Sequence, residues 1–239
     1  MSASAKNYMN NKPTKLLAID TATEQCSAAL LANERYWTRV LSTSRGHAEL
    51  ILPMIDELLR ESGLRLSDLD GLAFGRGPGS FTGVRIAVGV AQGLALATGL
   101  PVIGVSDLAA VAQQVADERG LSLGASVLVC MDARMREVYW GVYRVGDAGL
   151  VQLVDEERVG LPDSVAIEGA ALSCGTGTGF GAYPTLCDRY PQIPLDSMRL
   201  PRAREIAMLA VESLCAGAGQ RAADVRPVYL RDSVTQVPK

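Results

Sequence analysis

Two signals recur in the same order in the two halves of this 239-residue chain, and the repeat restricts the fold more than any composition figure. The first is a short apolar run that ends in an aspartate and turns back on itself. LLAID followed by TATEQCSAAL places Asp20 at one such hairpin, and VLVCMD followed by ARMREVYWGVY places Asp132 at another. The second is a strand running into alternating glycines. LAFGRGPGSF carries Gly75, Gly77 and Gly79, and LSCGTGTGF carries Gly175, Gly177 and Gly179. A chain that repeats both signals encodes a duplicated unit. Its two halves are expected to present an aspartate hairpin and a glycine turn to a shared cleft, where ligands usually sit.

Short branched and apolar runs predict strands at residues 15–20, 25–32, 34–41, 72–74 and 101–105. Apolar residues at helical spacing predict helices over 46–62, 80–99, 106–120 and 202–216. PVYL near the end reads as a final short strand, and the tail VTQVPK as unstructured. Strands alternating with helices specify an α/β fold, with helices flanking mixed sheets in two related lobes. The polar, glycine-containing stretch ADERGLSLGA marks the boundary between them. The expected division is a loose leader at 1–13, a first lobe at 14–118, a second at 119–225, and a C-terminal strand and tail at 226–239.

Composition then removes function classes. Hydrophobic residues make up 48% of the chain, which is ample core material for this length. A net charge of -3 without any run of Lys or Arg argues against a free-standing nucleic-acid binder. Five widely spaced cysteines without a C-x-x-C pair exclude a zinc knuckle or dithiol redox motif, and read as buried, reduced thiols of a cytoplasmic protein. The leader lacks the apolar region of a signal peptide. The most apolar stretch, 86–100, is too short to span a bilayer and has Gln92 in its middle, so no membrane is expected. His47 is the single histidine, so a two-histidine metal site is impossible and a catalytic triad would have to use it. Leu50, Ile51, Met54 and Leu58 follow it at helical spacing, which makes it a first-turn residue of a helix.

FGRGPGSFTGVR fails each standard loop pattern in turn. No lysine lies between Gly71 and Thr98, so it is not a Walker loop. Thr82 stands where a dinucleotide loop that starts at Gly77 needs its third glycine, although Asp107 follows the next strand as such folds require. Pro78 and Thr82 flank Ser80 where a nucleophile elbow needs glycines. Two readings remain open: an anion site at the N-terminus of the following helix, or a sharp turn from strand into helix. Asp20 and Asp132 are equally open, either capping turns or holding magnesium over phosphates. Thr21, Ala22 and Thr23 after Asp20 lack the glycine that a tight phosphate hairpin prefers. The 80–99 helix has Ala87, Ala91 and Ala95 four apart, Gly89 and Gly93 on an adjoining stripe, and a narrow polar line at Arg85 and Gln92. Small residues at that spacing admit another backbone closely; either the lobe's own core or a partner chain covers them.

HAELILPMIDELL, GLAFGRGPGSFTGVRIAVGVAQGLALATGLPVIGVSDLAAVA, MDARMREVYWGVY and PVYLR together resemble the bacterial TsaB family over nearly the whole chain. The resemblance implies an actin-like (ribonuclease H-like) fold and a non-catalytic subunit for threonylcarbamoyladenosine modification of tRNA beside the anticodon. It implies partnership with TsaD, which transfers the threonylcarbamoyl group from threonylcarbamoyl-adenylate, and with TsaE through that complex. A homodimer alone and tRNA contact only through the complex are also implied. TsaD carries an H-x-x-x-H metal pair where GVSDLAAV has Asp107 and Val111, so no metal and no catalysis are expected here. The expected partner interface is Val84, Arg85, Val88, Ala91, Gln92 and Ala95, with charge at Ala91 or Ala95 abolishing association while the monomer stays folded. Asp20, Thr21, Gly77, Gly79, Ser80, Asp132, Gly175 and Gly177 are the expected remnant of a nucleotide site. No cofactor is required; weak ATP or ADP binding with magnesium is expected at most, either in the cleft or only at the interface with TsaD. The competing expectations are a small-molecule kinase or ATPase on the same fold, and a peptidase, which a single histidine cannot supply.

Overall fold

The computed structural model describes residues 14–167 and 171–231. The leader and the tail from residue 232 lie outside the described residues, and so do the expectations that fall on them. The first half forms β1 (Leu16–Asp20), β2 (Gln25–Ala32), β3 (Arg35–Ser42), α1 (His47–Ser62), β4 (Gly71–Gly75), α2 (Phe81–Thr98), β5 (Val102–Val105) and α3 (Asp107–Glu118). The second forms β6 (Ser126–Asp132), β7 (Val138–Val145), β8 (Val151–Leu153), β9 (Arg158–Gly160), β10 (Leu172–Thr176), α4 (Thr178–Ala182), α5 (Pro184–Arg189), β11 (Leu195–Asp196) and α6 (Ala203–Cys215).

The two sheets have the same wiring. The first runs β3-β2-β1-β4-β5 and the second β8-β7-β6-β10-β11, with β9 also paired to β7. In each, the central strand pairs antiparallel with its hairpin partner and parallel with the strand that enters the glycine turn. The repeat read from the sequence is therefore a repeat of topology, the ribonuclease H-like order.

Alternation along a strand sends successive side chains to opposite faces, and β1 uses both. Leu17 and Ile19 pack with Ile51 and Leu58 of α1 and Ala87 and Ala91 of α2. Leu16 and Ala18 pack with Ala203, Ile206, Ala207 and Ala210 of α6. Each fully buried Leu or Ile contributes about 1.5–3 kcal/mol. Alanines at 18, 29 and 73 let α6 lie close to the sheet.

The helices exchange halves. α6, encoded after the second sheet, covers the first one, whereas α3, encoded before the second sheet, packs Leu108, Val111 and Val115 onto Val127, Val129 and Tyr143 of the second. The stretch at 115–124 separates two sheets in sequence, but helices cross it both ways.

Residues 227–230 correct the expected terminal strand. The outer edge of β5 is already taken by Gln220, which exchanges backbone hydrogen bonds with Val102. The chain instead runs over the glycine turn, where the Val228 amide donates to the Arg76 carbonyl. Strands β8, β9 and β11 and helices α4 and α5 were not legible, being too short to show a period.

Candidate functional site

The Asp20 and Asp132 hairpins meet the two glycine turns as the repeat implies. Both aspartates cap their own turns: Asp20 Oδ1 accepts from the Ala22 amide and Asp132 Oδ1 from the Arg134 amide, each at 2.9 Å. Asp132 also accepts from the Tyr183 hydroxyl at 3.0 Å and from the Arg134 guanidinium at 3.0 Å. The same guanidinium reaches Glu24 on the first hairpin, so a cation of the chain itself links the two turns.

The first glycine turn is filled by the protein's own backbone. The Ser80 amide donates to the Ala22 carbonyl at 2.7 Å, and Thr21 Oγ1 donates to the Gly83 carbonyl at 2.6 Å. A Cβ on Gly79 would lie 2.6 Å from the Ala22 carbonyl oxygen, which is why glycine stands there. Ser80 caps α2 by accepting from the Gly83 amide at 3.4 Å. The second turn repeats this: Gly177, at a φ of 108°, lies against the backbone of Cys130, and Gly175 against Leu195 and Phe180. Gly77, preceding a cis proline, sits beneath the Val228 carbonyl. The loop makes a sharp turn from strand into helix, packed by the backbone of the first hairpin. The predicted remnant residues are thus brought together in two matching clusters, each packed by its own hairpin.

Sequence reasoning missed how deeply Asp107 is drawn in. It is fully buried beside Asp20, and its Oδ2 accepts from the Gly77 amide at 2.6 Å. Asp20 Oδ2 and Asp107 Oδ1 have no hydrogen-bond partner of ordinary geometry. Both carboxyls crowd the α-carbon of Gly75, where a Cβ would lie 2.7 Å from Asp20 Oδ1. Burial pushes the Asp20 carboxyl up to about 7, opposed by hydrogen bonds from the Ala22 amide and from Asp107. Burial raises Asp107 well above the usual carboxylate range, and the Asp20 charge raises it further. Burial thus favours the protonated form at both carboxyls. The signal was an aspartate at the end of β1 and another just after β5, the two strands that flank β4, which only a sheet order can convert into contact across Gly75. His47 was also underread: its Nε2 bonds the Thr23 carbonyl at 2.8 Å, fastening α1 to the first hairpin.

The expected partner face needs correcting. Val84, Val88, Ala91 and Ala95 are buried in the first lobe's core, because α2 turns this stripe toward the sheet. Gln92 is half-buried and donates to the Val225 carbonyl at 3.0 Å. Arg85 is exposed, stacked over Phe81 and donating to the Tyr229 hydroxyl at 2.8 Å. Gly89, Gly93, Leu96 and Ala97 face outward, with Leu96 81% exposed, and Ile86 and Val90 lie half-buried at the margin, packed against the lobe's core.

Comparison with known proteins agrees with this architecture. Residues 41–171, more than half of the chain, match the family described as TsaD, tRNA N6-adenosine threonylcarbamoyltransferase. The tRNA threonylcarbamoyladenosine biosynthesis protein TsaB of Escherichia coli is 40% identical over 224 residues, 92% of this chain and 96% of that protein. Its namesake in Haemophilus influenzae is 39% identical over 229 residues, 92% and 94% of the two chains. A Pseudomonas aeruginosa crystal structure, described as similar to peptidase YeaZ, superposes with a TM-score of 0.83 at 46% identity and covers 91% of this chain and 100% of that one. A second structure, YeaZ from the same organism, gives 0.82 at 44%, with the same coverage. With the duplicated sheets, the matched turns and identity sustained over nearly its whole length, the chain belongs to the TsaB family of tRNA threonylcarbamoyladenosine biosynthesis proteins.

Proposed function

We propose that this chain is a non-catalytic subunit of tRNA threonylcarbamoyladenosine formation that docks TsaD through the outward face of α2. TsaE joins through that complex, tRNA is touched only within it, and the setting is the cytoplasm. The observation that carries the reading is an exposed, uncharged face at Gly89, Gly93, Leu96 and Ala97 on a helix whose opposite face already satisfies the lobe's core. Gly89 and Gly93, four apart and open outward, allow a second helix to approach closely. Leu52 and Pro53 of the neighbouring α1 are also exposed. In the absence of TsaD the same face pairs with a second copy.

Two features support the absence of catalysis. The Asp20 and Asp107 carboxyls are sealed from solvent, and the Arg134 guanidinium lies between Asp132 and Glu24. Magnesium held over phosphates needs free carboxylate oxygens between the hairpins, and these residues do not fit it. In this reading no cofactor is required, and ATP or ADP with magnesium binds weakly, only where TsaD completes a site. Measured phosphate transfer by the chain alone at about 1 per second, an ordinary enzyme rate, restores the kinase reading.

The test is co-purification with TsaD on a sizing column. Gly89→Arg and Leu96→Glu are expected to abolish the complex while each monomer melts as wild type does. Retention of the complex by both rejects the assignment.

A further inference from the structure

Between the outer edge of β5, helix α6 and the β7–β8 hairpin lies a cavity of about 230 Å³ that shares no lining residue with the hairpin turns or the outward face of α2. Val105, Ala109, Val151, Leu153 and Leu209 form its apolar side, about half of the wall. One end is polar, and its four side chains converge from distant stretches: Arg76 from FGRGPGSF, Ser106 from GVSD, Tyr143 from the end of MREVYWGVY, and Glu157 from the loop before β9. Three of the four sit in the stretches that most mark this sequence.

Their hydrogen bonding is lopsided. The Tyr143 hydroxyl donates to Glu157 Oε1 at 2.5 Å, and the Ser106 hydroxyl donates to the same oxygen. Burial and the adjacent Glu157 carboxylate raise the Tyr143 phenol well above its usual range, which keeps it a donor. The other oxygen, Oε2, faces the Arg76 guanidinium at 3.8 Å, too far for a hydrogen bond. The Glu157 side chain is only 5% exposed, and Arg76 Nε is buried without an acceptor. Arg76 Nε is thus a buried N–H short of an acceptor, an expensive omission, and it stands beside Glu157 Oε2, whose partner is the same guanidinium at long ion-pair distance. Strand alternation also turns the Gly104 backbone to the same outer edge as Val102, where no side chain of its own blocks the approach.

A ligand that completes this site brings an acceptor and a donor a few atoms apart, carries no net charge, and offers a small apolar group to the wall. The volume lies below the roughly 300–1,000 Å³ of drug-sized pockets, which sets the ligand's size. We propose that this cavity binds a small apolar α-amino acid as its zwitterion, with the carboxylate on Arg76, the ammonium on Glu157 Oε2 and the side chain against Val151, Leu153 and Leu209. Neither charge of the ligand is left unpaired, so the desolvation that opposes burying one ion is offset at both ends.

The full chain is titrated by amide NMR with L-valine, with 3-methylbutanoate, which lacks the ammonium, and with 2-methylpropylamine, which lacks the carboxylate. Saturable binding of L-valine is expected, with shifts at Gly104, Ser106 and Val151 and each fragment at least tenfold weaker. Arg76→Gln and Glu157→Gln are each expected to weaken L-valine at least tenfold. Leu153→Arg, a change at the exposed rim of the wall, abolishes binding with the polar end intact and decides the matter should either polar variant fail to fold. No saturation by L-valine, equal binding of either fragment, or wild-type affinity in the folded variants overturns the proposal; the first of these means that water alone completes the polar end. TsaD is absent from every arm, so this result and the docking result fail independently.

Discussion

A carboxyl without water must lose its charge or find a cation, and among the described residues Asp20 and Asp107 meet each other and backbone amides such as those of Ala22 and Gly77. Burial raises Asp20 from 3.8 to about 7, and raises Asp107 too. Between about pH 4 and 7 the native state therefore keeps a proton that the unfolded chain has released, so stability falls as pH rises across that window, by at most about 1.4 kcal/mol per pH unit for one proton. The contribution is fully present below the unfolded value near 4 and is lost as pH passes the folded value near 7. Thermal melting of wild type is expected to drop from pH 5 to pH 8 more steeply than that of Asp107→Asn, whose amide donates to Asp20 at every pH. Parallel profiles for the two proteins refute the shared proton. A second residue-scale expectation follows from the corrected face of α2. Ala91 is 1% exposed, so Ala91→Glu buries an unpaired charge and costs roughly 4 kcal/mol or more; soluble, cooperatively melting variant would contradict its placement in the core.

At the scale of elements, α2 shows how one helix serves two surfaces. Its alanines pack on the sheet and its glycines face outward. Gly93 has open space around the position of a Cβ, and glycine inside a helix costs about 0.5–1 kcal/mol relative to alanine. Gly93→Ala is expected to stabilise the monomer by about that amount in urea denaturation. Gly79→Ala, in the turn before the helix, drives a methyl group into the Ala22 carbonyl and is expected to destabilise by about 1–3 kcal/mol. Two Gly→Ala changes fourteen positions apart thus take opposite signs, and equal signs would mean that the turn is not packed as described. Intrinsic helix preference favours glycine at neither position. At 93 close approach of a second helix is the reason offered for it, and at 79 the backbone of the first hairpin is the reason observed.

For the molecule as a whole, the exchange of α3 and α6 decides what folds alone. A chain cut after residue 118 retains all five strands of the first sheet but loses α6, and with it the cover over Leu16, Ala18, Ala29 and Ala73. Neither the 1–118 nor the 119–239 fragment is expected to show cooperative melting by circular dichroism, and the two co-expressed are expected to associate. Independent folding of either fragment contradicts that interdependence. The sequence by itself determined the repeated sheets, the aspartate hairpins and the glycine turns, because these rest on contacts within a few residues: a carboxylate capping an amide two positions on, or glycine admitting a neighbouring turn. The family was legible for the same reason, through unbroken motifs. Only the tertiary structure decided which stripe of α2 faces inward, which lobe each helix covers, and that Asp107 meets Asp20. An apolar helical stripe looks the same whether a sheet or a partner covers it, and strand order, not spacing along the chain, sets which strand ends become neighbours. The Arg76–Glu157 cavity belongs to this second class, since its lining residues lie up to 137 positions apart and acquire a shared chemistry only where the lobes close upon one another.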